Sequence, residues 1–154
     1  MDTPDAQRTP TLTVYMGPPG AGKTTHARAN RGGAHLLSAD VMRRAPHAVD
    51  PAMLFHVLLA RAQAHLIGGE DVVVDACNIH PVPRRAFLKV GRACRARTRL
   101  VVLYVSLQEA LDVQTVRAYP VPRDRVVSYC RRFRSALRDA RHEGWDEIEV
   151  VRRR

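Results

Sequence analysis

Near the start of the chain, Gly17-Pro18-Pro19-Gly20-Ala21-Gly22-Lys23-Thr24 satisfies the pattern G-x-x-x-x-G-K-[ST] at every fixed position. The flanks matter as much as the match. Thr11 to Met16 reads as a short strand, and Gly22 to Ala29 reads as the first turns of a helix. Strand, glycine-rich loop and helix together form the context of a phosphate-binding P-loop. Such a loop turns backbone N–H groups toward one point, and the helix N-terminus adds its dipole. Glycines supply backbone conformations and close approach that side chains would block. The Lys23 ammonium is expected on the β- and γ-phosphates of ATP or another nucleoside triphosphate, and the Thr24 hydroxyl on Mg²⁺. The cofactor-binding set is therefore Gly17, Pro18, Pro19, Gly20, Ala21, Gly22, Lys23, Thr24 and Thr25. A Gly/Pro-rich surface turn is the competing reading, and the strand–loop–helix context speaks against it.

The rest of the chain alternates strand and helix signals. Asn30-Arg31-Gly32-Gly33 ends the first helix, and His35 to Ser38 reads as a brief strand with Asp40 beyond its end. Asp50-Pro51 predicts a helix start, with Asp as N-cap and Pro at the first helical position; Gly68-Gly69 ends that helix. Val72-Val73-Val74-Asp75 is apolar and β-branched, the texture of a strand covered on both faces. A helix is expected over Pro83–Ala96, a strand over Leu100–Val105, and a capping box at Ser106-Leu107-Gln108-Glu109. A break at Ala118–Pro122 precedes a helix to about Arg138, and Glu147 to Val151 is the last strand. The expected fold is α/β: a P-loop NTPase with a parallel sheet of about five strands and helices on both faces. Residues 1–10 read as a flexible lead-in, and 11–154 as one domain with a short lid around 107–121.

The basic balance bears on partners. The formal net charge is +10, and Arg accounts for 23 of the 25 basic residues, Lys23 and Lys89 being the others. Such a surface favours polyanions such as nucleic acid, although GC-rich coding bias would also put Arg in place of Lys. Three scattered cysteines, Cys77, Cys94 and Cys130, form no C-x-x-C pair and suggest reduced thiols and a cytoplasmic setting. No apolar run approaches the ~20 residues of a membrane span, so no membrane partner is expected, and nothing indicates an oligomeric state.

A P-loop does not say what happens to the nucleotide, and three further groups narrow it. Asp40 stands beyond the carboxyl end of a strand, where ligands gather in a doubly wound sheet. There it could accept a proton from an attacking hydroxyl, or simply cap a helix. Arg43, one helical turn on, would share its face and could hold a phosphate of the acceptor. Asp75 ends an apolar strand as a Walker-B carboxylate does and could serve Mg²⁺, while Asn78 could fix the loop or the acceptor. A strand-ending Asx turn is the structural alternative for this stretch. Arg117 lies just before Val121-Pro122, where a lid arginine would stabilise the transferred group, or where any surface arginine could lie.

Taken together, these residues resemble the P-loop polynucleotide 5'-hydroxyl kinases and their relatives among bacterial and phage P-loop kinases. The resemblance runs from about Thr13 to Val151. It rests on Gly17 to Thr25, on Ser38-Ala39-Asp40 with Arg43, and on Val73-Val74-Asp75-Ala76-Cys77-Asn78 followed by Arg84-Arg85. It also takes in Val121-Pro122 and Glu143-Gly144-Trp145-Asp146-Glu147-Ile148. It implies Asp40 as general base, Arg43 as acceptor-phosphate ligand, Lys23 and Thr24 on phosphates and Mg²⁺, and Arg117 as lid arginine. Cys77 stands where the family has Thr. The family's lid often carries two arginines spaced R-x-x-x-R, and here Val113 occupies the earlier position. The expected function is ATP-dependent phosphoryl transfer to the 5'-hydroxyl of a nucleic acid. Alternatives are transfer to another hydroxyl, on a hydroxymethylated base or a small metabolite, and ATP-gated nucleic-acid binding with little turnover.

Overall fold

The computed structural model describes residues 8–46 and 49–152. Five strands, β1 (Thr11–Met16), β2 (His35–Ser38), β3 (Val72–Asp75), β4 (Arg97–Tyr104) and β5 (Glu147–Arg152), form one sheet in the order β2-β3-β1-β4-β5. Every neighbouring pair is parallel. The helices are α1 (Lys23–Asn30), α2 (Ala39–Arg44), α3 (Leu54–Ile67), α4 (Pro81–Ala93), α5 (Leu107–Val116) and α6 (Arg123–Ala140).

The two-residue period of the strands divides the core. Leu12, Val14 and Met16 of β1 join Val72, Val74, Leu100 and Val102 on one face, against Leu58 of α3, Phe87 of α4 and Phe133 of α6. Tyr15, Val73, Val101 and Leu103 turn the other way, toward Ala27 of α1, Ala110 of α5 and Val126 at the start of α6. Helices cover both faces, and that is why the central strands carry no polar side at their carboxyl halves.

Several boundaries differ from the sequence expectation. Asp50 does not cap the α-helix. Its carboxylate accepts the Ala52 N–H at 2.9 Å, and the chain makes a preliminary turn before α3 begins at Leu54. Helix α4 begins two residues early because Pro81 and Pro83 both fit its first turn, where N–H groups have no helical partner. It ends three residues early because Arg95, at φ 55°, reverses the chain. Strand β4 therefore starts at Arg97. Arg97 and Arg99 point outward there and pair with Glu147, and Arg99 also with Glu149, on edge strand β5. Asp40 and Arg43 lie one helical turn apart on α2, but Ser38 rather than Asp40 caps that helix, its hydroxyl accepting from Val41 N. Of the expected lead-in, residues 1–7 lie outside the described residues. Arg8 is paired with Asp71, and the Pro10 carbonyl accepts the Arg97 N–H, so the end of the lead-in is tied to the sheet.

Candidate active site

Strand β1 lies third in the sheet, so the loop after it opens where neighbouring connections run to opposite sides. The loop is built on close backbone contact. A Cβ at Gly17 would come within 2.6 Å of the Leu103 carbonyl oxygen, and one at Gly20 within 2.9 Å of that of Ala110. Gly20 and Gly22 both sit at φ +88°, which side chains rarely adopt. The Gly17 N–H donates to the Cys77 carbonyl at 2.9 Å, joining the loop to the segment after β3. Below it, the Tyr15 hydroxyl and His26 Nδ1 share a 2.7 Å hydrogen bond that ties β1 to α1. Burial first, then the nearby Glu149 carboxylate, pushes the Tyr15 phenol up to about 12.

Lys23 opens α1 and is 8% exposed. Its Nζ donates to the carbonyls of Gly17 and Pro18, both at 2.9 Å, so the ammonium lies across the mouth of the loop. Thr24 Oγ1 donates to Asp75 Oδ2 at 2.7 Å, and Ser38 Oγ donates to the same oxygen at 3.1 Å. Two hydroxyls on one buried carboxylate make an all-oxygen donor set, the chemistry that suits Mg²⁺. Together with loop glycines that let the backbone pass close to Leu103 and Ala110 and with the Lys23 ammonium, these residues fit a Mg²⁺–nucleotide.

One cleft of about 670 Å³ is lined by Pro19, Gly20, Gly22 to Thr25, Asp40, Arg43, Asp75, Asn78 and Arg117. That size suits a small-molecule or nucleotide site. The cleft thus gathers residues from four separate stretches. Gly17, Pro18 and Ala21 lie behind its wall, holding the loop from below. The same cleft is lined by the apolar Leu54, Phe55, Leu58, Ile79 and Phe87, and by Arg125 and Tyr129 of α6.

Asp40 falls in the first turn of α2, two residues after the cap, so it is not the N-cap. Its carboxylate meets Arg43 at 3.0 Å, Arg117 at 3.3 Å and Arg44 at 3.8 Å. Arg117, the C-cap residue of α5, therefore bridges the end of α5 to α2. Arg44 adds a second bridge by lying 4.7 Å over the Tyr119 ring. Gln114, which stands in the stretch expected to supply a second arginine, does a different job. Its Oε1 accepts the Val121 N–H at 2.9 Å, and its Nε2 donates to the Ala110 carbonyl at 3.2 Å beside Gly20. The break after α5 is thereby fastened to the wall behind the phosphate loop.

Asn78 lines the cleft and also ties the loop after β3 to β1. At φ 50°, a conformation Asn tolerates, its amide donates to the Tyr15 carbonyl at 2.8 Å. Beneath it lies Arg84, wholly buried, which sequence reasoning noted only beside the family pattern. Arg84 donates to the carbonyls of Asn78 and Ile79 and forms a bidentate pair with Glu143 at 2.7 and 2.9 Å. Burial acts to raise the Glu143 carboxyl. Hydrogen bonds from Arg84, Trp145 and Arg85 outweigh it and hold its pKa below the ordinary value. A signal for Arg84 was present: buried Arg84, Phe87, Leu88 and Gly91 occupy the i, i+3, i+4, i+7 stripe of α4.

A five-stranded parallel sheet with a phosphate loop between its central strand and α1 is the P-loop NTPase fold in its kinase-like form. The AAA_33 family model, described as an AAA domain, matches residues 12–136, and the chain belongs to that family. No curated protein matches it in sequence. Among solved structures, a chain of the Pnkp1/Rnl/Hen1 RNA repair complex aligns with TM-score 0.68 at 17% identity, over 90% of this chain and 49% of that one. The present chain spans about half the length of that relative. Kti12 from Chaetomium thermophilum, in complex with ADP-AlF3, aligns at 0.66 and 17% identity, covering 92% and 88% of the two chains. A gluconokinase from Sinorhizobium meliloti 1021 aligns at 0.58 and 21%, covering 94% and 83%. At these identities the likeness is one of fold. No helix among the described residues is long and apolar enough to cross a membrane.

Proposed function

We propose that this chain is an ATP-dependent phosphotransferase that phosphorylates the 5'-hydroxyl of a nucleic acid, working as a single domain with residues 107–121 as its lid. The observation that carries the reading is Asp40, lining the same cleft as the phosphate loop, Arg43, Arg117 and an apolar set of Leu54, Phe55, Ile79 and Phe87. In this reading the acceptor oxygen bonds to the γ-phosphorus while the bond to the β–γ bridging oxygen breaks. Asp40 takes the hydroxyl proton, and ADP leaves. Lys23 and Arg117 meet charge on the transferred group. Directly or through water, Thr24 and Asp75 would hold Mg²⁺, which would supply positive charge beside the phosphates. Arg43 would grip an acceptor phosphate.

Two further points support a nucleic acid over a small polyol. Leu54, Phe55, Ile79 and Phe87 offer a floor suited to a base rather than to a sugar acid. The formal net charge of +10 favours a polyanion. The relatives in fold include both kinds of protein: one belongs to an RNA repair complex and another is a gluconokinase.

The deciding experiment incubates the chain with γ-labelled ATP and a panel of 5'-OH DNA and RNA oligonucleotides, hydroxymethylated duplex and small polyols. Label is expected on the 5'-OH oligonucleotides, with an acceptor KM that climbs steeply with KCl as released counterions are replaced. Transfer to a polyol with no salt dependence would overturn the nucleic-acid reading. Nucleotide-dependent oligonucleotide binding without transfer would make the chain a binding module.

A further inference from the structure

We propose that His35, His65 and Glu70 form a binding site for a divalent transition-metal ion of the zinc type, at the end of the sheet opposite the cleft. His35 opens edge strand β2, whose other end carries Ser38 beside Asp75. His65 lies in the last turn of α3, and Glu70 follows in the turn toward β3. The nearest donor atoms of the three side chains all lie within 4.8 Å of one another.

The donor chemistry favours a borderline ion. Two imidazoles and one carboxylate are the ligands zinc takes in open three-residue sites, whereas Mg²⁺ prefers oxygen alone. Metal–ligand bonds of about 2.0–2.2 Å place tetrahedral donors roughly 3.4 Å apart. Glu70 Oε1 lies 3.2 Å from His65 Nδ1, near that spacing, while Oε2 lies 2.5 Å from His35 Nε2, shorter than it, so that hydrogen bond must open to admit an ion. The two rings are stacked at 3.8 Å with planes 16° apart, so at least one must turn about its side-chain bonds before both nitrogens face one ion.

The frame behind the ligands is rigid, as a useful site requires. The His35 N–H donates to the Asp71 carbonyl at 2.9 Å, and the Glu70 N–H donates to that of His65 at 3.0 Å. Gly69, at φ +77°, gives the tight turn that swings Glu70 back over the helix end. The side chains of His35, His65 and Glu70 are 41%, 31% and 50% exposed, so an ion can enter from solvent and keep water in its remaining position. A bound ion would fasten the short edge strand β2 to α3.

The test titrates the full, untagged chain with Zn²⁺ and with Co²⁺, following heat and the visible bands of tetrahedral Co²⁺. One ion per chain is expected, with a rise in Tm on metal addition. His65→Ala and Glu70→Gln should each weaken binding by more than about tenfold, the least that even an outer partner's loss costs, and abolish the Tm rise. Cys77→Ser, Cys130→Ser and Asp75→Asn should leave it intact. Equal binding by wild type and His65→Ala would overturn the proposal, as would binding that disappears with the cysteines or with Asp75. Failure here would leave the phosphotransferase reading untouched, because the cleft shares none of these ligands.

Discussion

Arg117 Nη2 lies 3.3 Å from Asp40 Oδ2, and this contact spans 77 residues of sequence to join the end of α5 to the first turn of α2. In the proposed reaction the two part company, the carboxylate facing a hydroxyl and the guanidinium a phosphoryl group. Asp40→Asn keeps the shape but cannot take a proton. It should lower kcat by about 10²–10⁴-fold while nucleotide affinity stays near wild type. Steady-state kinetics beside nucleotide binding by calorimetry checks this, and unchanged turnover would move the base elsewhere.

Arg117→Ala should lower kcat by about 10²–10³-fold with little change in ATP affinity, since the arginine is asked to act on the transferred group. Arg117→Lys should recover only part of the rate, because a point charge replaces a planar fork. If Arg117→Ala works normally, the lid charge comes from another arginine, with Arg125 at the cleft edge the next to test.

Lys23→Ala should abolish transfer and weaken nucleotide binding sharply. The ammonium bridges two carbonyls at the loop mouth, so its loss removes the mobile cation of the cradle. Thr24→Ala frees one partner of Asp75 and should raise the Mg²⁺ concentration needed for activity more than it lowers Tm. A Lys23→Ala variant with normal turnover would remove the phosphate-site assignment.

Arg84→Met should destabilise the fold by about 3–5 kcal/mol in urea unfolding, because it leaves Glu143 charged and 4% exposed without its main partner. Adding Glu143→Leu should regain part of that loss, since removing both charges removes the uncompensated one. A loss below about 1 kcal/mol for Arg84→Met alone would mean that solvent reaches the pair.

Stability should fall at both extremes of pH, for opposite reasons. Glu143 and Asp146 are held below their ordinary values, Glu143 by Arg84 and its neighbours against burial, Asp146 by Thr98. Their contribution is full above ordinary carboxyl pKa values, 4.5 and 3.8, and is lost as pH drops through the lowered folded ones. Tyr15 is raised from 10.0 to about 12, so the unfolded chain loses that proton first and stability declines between those values. Urea unfolding of Tyr15→Phe should show a shallower decline there than wild type, and an identical slope would contradict the assignment.

What was legible in the sequence was what the chain does locally. The phosphate loop, Asp40, Asp75 and the capping box at Ser106 are contiguous patterns or strand ends, and strand continuity carried the first three to one cleft. The two-faced apolar texture of Val72–Val74 foretold a parallel sheet. Pairings between distant segments were not legible: Arg84 with Glu143, Arg44 with Tyr119, and Gln114 with Val121 carry no periodicity. Element ends slipped by two or three residues where a second proline or a left-handed Arg95 decided the matter.

The burial of Arg84 has a reach beyond its own surroundings. A guanidinium is flat, and its donors point in set directions, so it works as a gauge. It is satisfied only when the 143–145 turn and the Asn78–Ile79 carbonyls stand at one separation. The Asn78 amide transmits that setting to the end of β1, and the Cys77 carbonyl transmits it to Gly17. The last turn before β5 therefore calibrates a phosphate loop more than a hundred residues earlier in the chain.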